Sequence, residues 1–253
     1  MHLVIGIIAA LVIFGILVVV HEGGHFVTAK AVGVRVNEFS IGMGPLLFNR
    51  KKGETVYSLR LLPIGGYVAL EGEDEDSDDE RAFSNKPAWA KLLVLAAGPF
   101  MNFLFAVIVL LVLIIVMGMS ANFFEALIMS FKSCINIEIM IFDAFKDLLT
   151  GAGSVNDVVG PIGIVDAVDQ TAQAGISNLV MLTIILSLNL GLFNIIPFPA
   201  LDGGRILFVI IRAFTGRAVS DEIENRIHYV GIIILFALMI LITMKDVNTF
   251  LLK

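Results

Sequence analysis

Four long apolar stretches dominate the hydrophobic pattern of the chain. Leu3–Val20, Leu92–Met119 and Gln170–Leu201 carry no charged residue, and the one basic or acidic side chain in Ile227–Met244 is that of His228. A bilayer core about 30 Å thick requires about 20 apolar residues of helix at about 1.5 Å each. The pattern therefore predicts four membrane-spanning helices, at about 2–29, 90–118, 176–196 and 227–246. The third is expected to continue as an irregular end to residue 204.

The first stretch has the length and apolar character that invite comparison with a signal peptide. It lacks a basic start and a small-residue cleavage site, and it is longer than the apolar region of such a peptide. We therefore expect it to remain in the protein as a helix.

Two further segments have a different pattern. Between about 34 and 70, short alternating runs are separated by glycine pairs and by the turn sequence NRKKGE. This texture predicts a small β-hairpin or sheet, and since exposed strand edges cannot face lipid, it would enter the membrane only beside a protein cavity. Over about 121–150, apolar residues recur every three or four positions, which predicts an amphipathic helix on the outer surface. The alternative is a core-facing helix of a small extracytoplasmic domain.

Composition supports a membrane protein and excludes several other classes. The chain is 58% apolar and 16% charged, whereas soluble domains average about 25% charged residues. Disorder requires the opposite balance, and Cys134 is the single cysteine, so it has no partner within the chain for a disulfide. The net charge of −6 argues against a nucleic-acid partner. The predicted fold class is a polytopic membrane protein of the all-α type with a small β segment.

The distribution of basic residues predicts the orientation. The segments 30–91 and 205–226 hold 13 of the 17 Lys and Arg residues, and an excess of these residues marks the cytoplasmic side. Both termini are then expected to be extracytoplasmic. The acidic run Glu71–Glu80 lies on the same predicted side, within a cytoplasmic segment at 31–87, and is interpreted as a solvated loop.

The first predicted membrane-spanning helix, at about 2–29, contains the sequence His21-Glu22-Gly23-Gly24-His25. Residues four apart lie on one face of a helix, so His21 and His25 can bind one metal ion, and Glu22 is suited to take a proton from a metal-bound water. His21 lies about 13 Å of helix before Lys30, which places the motif inside the apolar zone. A carboxylate at that depth is rarely present without a functional partner. The structural alternative is a pair of hydrogen-bonded buried histidines with a paired glutamate.

Zinc usually has three protein ligands and a water in catalytic sites, so a third ligand is needed. Asp202 follows the sequence NIIPFPAL, in which Pro197 and Pro199 interrupt the helix. Gly203 and Gly204 allow a sharp turn that would direct Asp202 toward the first helix. The alternative role for Asp202 is a helix cap at the membrane interface.

The sequences HEGGHF at 21–26 and LDGGR at 201–205 resemble those of the site-2 proteases, a family of intramembrane zinc metalloproteases. PIGGYVAL, GPIGIV and the stretch GEDED…ERAFSNKPAWAKLLVLAAGPFMNF at 72–103 resemble its bacterial branch, which cleaves anti-sigma factors and remnant signal peptides. The resemblance implies one Zn²⁺ held by His21, His25 and Asp202, with Glu22 as catalytic base. It also implies a bacterial cell membrane location, single-pass membrane proteins as substrates, and a membrane-reentrant β segment at 34–70.

Substrate contacts are predicted from the same resemblance and from the broken backbone. The residues assigned to substrate binding are Asn189, Asn194, Pro197, Pro199, Gly65 and Gly66. The bacterial branch normally has one or two PDZ domains between the second and third crossings. Here Met117 leads directly into the outer segment 121–169, so the prediction is a single protease domain over 1–253 without a PDZ domain.

Gly98, Pro99 and Asn102 interrupt the second apolar stretch, and two interpretations are open. A kink there would open a path for substrate or water, or it would serve helix packing alone. Two other functions also fit a metal-binding membrane protein. A transporter or scaffold would carry ligands on several crossings and internal repeats, and no repeat is found. A membrane-anchored peptidase with a cytosolic active site would need a larger soluble domain.

Overall fold

The computed structural model describes residues 2–73, 77–154, 158–216 and 221–251. In chain order the elements are α1 His2–Ala31, β1 Val36–Lys52, β2 Thr55–Leu70, α2 Ala88–Val116, α3 Phe123–Thr150, α4 Pro161–Ala174, α5 Ile176–Ile195, α6 Asp202–Thr215 and α7 Asp221–Asp246, followed by a π-helical turn at Val247–Leu251.

Four of these helices are long and apolar enough to cross a bilayer. They are Gly6–Ala31 within α1, Ala88–Val116, Ile176–Ile195, and Glu222–Thr249 from α7 into the π-helical turn. The prediction of four membrane-spanning helices, a small β segment and an amphipathic helix is thereby confirmed. The amphipathic helix is α3, which Asn122 caps by accepting a hydrogen bond from the Glu125 amide at 2.8 Å.

The structure contains two helices that the sequence pattern did not predict. α4 lies C-terminal to the predicted amphipathic helix, where the sequence pattern predicted no secondary structure. α6 begins directly at Asp202. α4 has Pro161 at its first position and no side-chain cap from the preceding Gly160, so its start carries a weak local signal. In α6 a glycine pair with low helix propensity directly follows Asp202.

The described chain divides into two compact units. One comprises residues 14–101 and 193–233, and the other comprises residues 1–13, 102–192 and 234–253. The core of the first unit is formed by buried residues of α1, the sheet, α2 and α6, among them Ala29, Val36, Val94 and Val209. The core of the second unit is formed by α2, α3 and α5.

The sheet of the first unit consists of two long bent strands, β1 and β2, that pair antiparallel. Residues 36–41 of β1 pair with 66–70 of β2, and residues 38–41 also pair with 56–59. The first part of β1 therefore lies between two portions of β2. The buried Thr55 hydroxyl donates to the Val36 carbonyl at 2.8 Å and fixes this fold of the strands.

Several carboxylates of the acidic run have protein partners in addition to their exposure to solvent. Residues 74–76 lie outside the described part of the chain, but Glu71, Glu73 and Asp79 each have protein partners. Hydrogen bonds from Ser77 and Asn37 lower the pKa of Glu71. Such bonds favour the charged carboxylate, and they attach the loop to the sheet and, through the Glu73–Arg205 ion pair, to α6.

The second unit contains a helix cap supplied from a distant part of the sequence. The amide of Gly163, in the first turn of α4, donates to the buried Asp246 carboxylate at 2.8 Å. Since Gly160 offers no side chain for this role, the end of α7 caps the start of α4.

We expect Asp246→Ala to destabilise the protein by about 1–3 kcal/mol, because it leaves the buried Gly163 amide without its acceptor. The measurement is the thermal unfolding midpoint of the purified protein in detergent micelles. Asp143→Ala is the control, since Asp143 is exposed on α3, and its effect should stay within about 0.5 kcal/mol. Equal midpoints for the two variants would contradict the capping role.

Candidate metal centre

The residues of the HEGGH sequence lie on α1 within the first unit. His21 and His25 are buried, at 7% and 8% exposure, and Glu22 is half-buried. The two imidazoles are one helical turn apart, and their Nε2 atoms lie 3.3 Å from each other. The spacing inferred from sequence therefore brings both rings to one point.

Asp202 joins the two histidines. Its Oδ2 atom lies 3.1 Å from His21 Nε2 and 3.4 Å from His25 Nε2. α5 ends at Ile195, ahead of the two prolines, and α6 starts at Asp202. Gly203 makes this turn possible, because a Cβ there would lie 2.2 Å from the Ile195 carbonyl oxygen. The expected return of Asp202 toward the first helix is thus observed.

The three donor atoms fit a zinc ion. They form a triangle with edges of 3.1, 3.3 and 3.4 Å. For ligands about 2.0–2.1 Å from zinc, the edge of a tetrahedron is about 3.3 Å, and two imidazoles with one carboxylate are a ligand set that catalytic zinc uses. Among the described residues this is the one group of three or more His, Cys, Asp or Glu with converging ligand atoms. Three protein ligands leave the fourth position of a tetrahedron open.

α2 orients the ring of His25. The Nδ1 atom of His25 donates to the Val94 carbonyl at 2.8 Å, which places the lone pair for a metal on Nε2. Pro99 lies inside α2 and has no amide hydrogen, so the helical hydrogen bond from residue 99 to the Leu95 carbonyl is missing. The hydrogen bond from His25 to the Val94 carbonyl cannot be predicted from the HEGGH sequence itself.

Gly98 provides the space for the two imidazoles. A Cβ atom at this position would lie 2.3 Å from His25 Nε2 and 2.8 Å from His21 Cε1. The interruption at Gly98 and Pro99 therefore adjoins the metal centre. Asn102 belongs to the other unit, where its side chain is fully buried and its backbone carbonyl accepts a hydrogen bond from the Ser187 hydroxyl at 2.9 Å. The two interpretations of Asn102 stay predictions, because this bond does not involve its side chain.

Glu22 lies between the metal ligands and the sheet. The Val68 amide of β2 interacts with its carboxylate. A Cβ at Gly66 would lie 3.4 Å from Glu22 Cγ, so the β2 backbone passes directly beside this side chain. Gly66, one of the predicted substrate-binding residues, thus lies next to Glu22.

The other predicted substrate-binding residues lie in varied surroundings. Asn194 is half-buried in the last turn of α5, and the Asn189 amide, in the other unit, donates to its own helix at Ile185. Pro197 is exposed, whereas Pro199 packs against α7. Gly65 contacts Met43 within the sheet. Their contacts with a substrate remain predictions.

Sequence comparison agrees with this geometry. The model of peptidase family M50 matches residues 9–238. A protein of Clostridium perfringens, whose name describes it as a candidate zinc metalloprotease, is 30% identical over alignments covering 95% of this chain and 98% of the relative. RasP of Bacillus subtilis, named as a regulator of sigma-W protease, is 24% identical, with 96% and 98% covered. Zinc metalloprotease RasP of Oceanobacillus iheyensis is 26% identical.

The protein is a multi-pass membrane zinc metalloprotease, a class defined by the apolar helices and the His-His-Asp centre together with these matches. It belongs to peptidase family M50, the site-2 proteases. The alignment with RasP of Bacillus subtilis runs over 413 positions, more than the 253 residues of this chain. That relative therefore contains residues without a counterpart here.

We expect Gly98→Ala to weaken zinc affinity by about 10–100-fold, because the new methyl group occupies the space of the imidazoles. Zinc content after dialysis against a graded chelator is the measurement. Gly23→Ala is the matched control, since a Cβ at Gly23 meets nothing within 4 Å. Full zinc content in Gly98→Ala would contradict the proposed crowding.

Proposed function

We propose that the protein is an endopeptidase that hydrolyses a peptide bond within the transmembrane segment of single-pass membrane proteins. The observation that carries this proposal is the triangle of donor atoms from His21, His25 and Asp202. Both histidines and Glu22 lie on a helix that is long and apolar enough to span a bilayer. His21 lies nine residues before Lys30, or about 13 Å of helix. A site at that depth has access to bonds that are themselves buried in lipid.

The proposed chemistry assigns distinct tasks to the residues. His21, His25 and Asp202 hold a zinc ion, which when bound lowers the pKa of a water toward about 7 and polarises the substrate carbonyl. Glu22 accepts the proton of the attacking water and delivers it to the leaving amine. The half-buried position of Glu22 next to both histidines suits this transfer over a short distance.

A helical substrate must unwind before hydrolysis, because its amides are bonded within the helix. We propose that the 66–70 edge of β2 replaces those bonds by pairing with the substrate as an added strand. The amide of Leu70 points away from β1, since it donates to Glu73 at 3.4 Å, and the Val68 amide points to Glu22. Amides two residues apart face the same edge of a strand, so the Gly66 amide faces this edge as well.

Further substrate contacts are proposed from the family resemblance. Asn194, in the last turn of α5, would hold a carbonyl or amide of the unwound segment, with Asn189, Pro197, Pro199 and Gly65 as additional binding positions. Segments with Gly, Pro or small polar residues would unwind at the lowest cost. Anti-sigma factors and remnant signal peptides are the proposed substrates, in line with the protease RasP of Bacillus subtilis that is named for its role in regulating sigma-W.

The proposed location is the bacterial cell membrane, with both termini extracytoplasmic and the active site nearer the cytoplasmic side. The distribution of Lys and Arg supports this orientation. The proposed organisation is a single protease domain, in which α2 is followed after Val116 by α3 at Phe123.

We expect Glu22→Gln to abolish cleavage while zinc remains bound, because the amide cannot accept the proton and the three ligands are intact. Asp202→Asn should reduce both zinc content and cleavage. The measurement is co-expression with a single-pass model substrate, followed by product mass spectrometry, together with zinc content of the purified protein. Ser120→Ala, in the loop before α3, is the control.

Two results would count against this mechanism. Cleavage by Glu22→Gln at the rate of the unchanged protein would exclude Glu22 as the base. A product cut outside the transmembrane segment would exclude intramembrane hydrolysis.

The strand-addition step is tested by cysteine crosslinking in a Cys134→Ser, Glu22→Gln background. With a cysteine in place of Ala69, on the edge portion of β2, we expect disulfides with every second position of a substrate cysteine scan, because strand residues alternate in direction. Lys51→Cys, at the far end of β1, is the control and should give no such pattern. Crosslinks at every third or fourth substrate position would show that the substrate stays helical.

A further inference from the structure

The loop that carries Asp202 contains a strained turn. The Leu201 amide donates to the Phe198 carbonyl at 3.2 Å, with Pro199 and Ala200 between them. Ala200 has φ of 80°, and it is the one non-glycine residue with positive φ in the described part of the chain. Proline second and a positive φ third are the features of a type II turn, in which glycine favours the third position. An alanine there needs support from outside the turn.

That support comes from α7. The Ala200 amide donates to His228 Nδ1 at 2.9 Å. A Cβ on Gly231 would lie 2.5 Å from the Pro199 carbonyl oxygen, so this carbonyl lies against the α7 backbone. Residues three apart share a helix face, and the Pro199–Ala200 peptide therefore lies along α7 with its amide at His228 and its carbonyl at Gly231. The orientation of this peptide is what distinguishes a type II from a type I turn.

His228 is itself held in place. It is 9% exposed, and its ring centroid lies 5.6 Å from that of Phe208 on α6. Because a backbone amide can only donate, Nδ1 is the acceptor, and the ring proton of neutral His228 is on Nε2. Nε2 faces Glu224, 3.8 Å away, and Glu224 pairs with Arg212 of α6.

We propose that His228 is a positioning residue of the metal centre. By accepting the Ala200 amide it stabilises the turn that presents Asp202 Oδ2 to His21 and His25, without being a ligand itself. The proposal rests on the proposed function, in which Asp202, His21 and His25 are the metal ligands. Loss of the acceptor lets the Pro199–Ala200 peptide rotate, and the carboxylate two residues later leaves the triangle of donor atoms.

The experiment measures Co²⁺ and Zn²⁺ affinity, and the visible absorption of the Co²⁺ form, for the full chain purified in detergent micelles. His228→Asn keeps an acceptor near the Nδ1 position, and its affinity should stay within about threefold of the unchanged protein. His228→Gln and His228→Phe lack that acceptor and should bind metal about 10–100-fold more weakly, the range found when outer partners of metal ligands are lost.

A second variant separates positioning from general stability. Ala200→Gly, introduced into the His228→Phe protein, should restore most of the metal affinity, because glycine adopts a positive φ without strain. A role limited to packing would lower the thermal midpoint of His228→Phe without changing metal affinity, and Ala200→Gly would then have no affinity to restore. Tyr229→Phe is the control, since Tyr229 is 65% exposed on the same helix.

The outcomes are distinguishable. Metal binding by His228→Phe equal to that of the unchanged protein, or by His228→Asn no better than His228→Gln, would overturn the positioning role alone. Failure of the unchanged protein to bind metal would overturn the metal centre and this inference with it. If His228→Phe does not fold, the comparison of the Asn and Gln variants decides.

Discussion

The structure depends on the cost of placing two imidazoles and a carboxylate together in an apolar helix environment. A charge or unpaired polar atom in such surroundings is strongly unfavourable. This cost is reduced because the donor atoms of three residues converge on one point, within 3.1–3.4 Å of one another. The residues are His21, His25 and Asp202. A divalent cation at that point neutralises the carboxylate and gives each nitrogen a partner.

The break between α5 and α6 is the second constraint, because it exposes backbone groups that a continuous helix would pair. Most are paired locally: Phe198 donates to the Ile196 carbonyl at 2.7 Å, and Leu201 donates to the Phe198 carbonyl at 3.2 Å. The Ala200 amide points out of the turn and is bonded by His228 instead. Irregular backbone at this depth is tolerated where it is buried in protein, so α7 belongs to the construction of the metal centre although it carries no ligand.

The sequence predicts those parts of the site whose signal is local. The i, i+4 spacing of His21 and His25 and the proline break before Asp202 are both readable without a structure. The role of Gly98 could not be predicted in this way. It contributes space because it has no side chain, and that space matters only because the imidazoles of His21 and His25 occupy it in the folded structure. His228 has an ordinary place near the start of an apolar helix, and its acceptor role depends on a turn 28 residues away. α4 escapes prediction for the same reason, since its cap, Asp246, comes from the end of α7.

Glu22 connects these constraints to substrate handling. One helical position separates it from His21, so it adjoins the donor atoms, while the Val68 amide and the Gly66 backbone of β2 lie on its other side. An extended peptide paired with the 66–70 edge of β2 would run past Glu22 as well as past the metal. In the proposed strand addition, this pairing would compensate the substrate for its lost helical hydrogen bonds at the position where the proton must be transferred. Unwinding and hydrolysis would then require a single placement of the substrate beside Glu22.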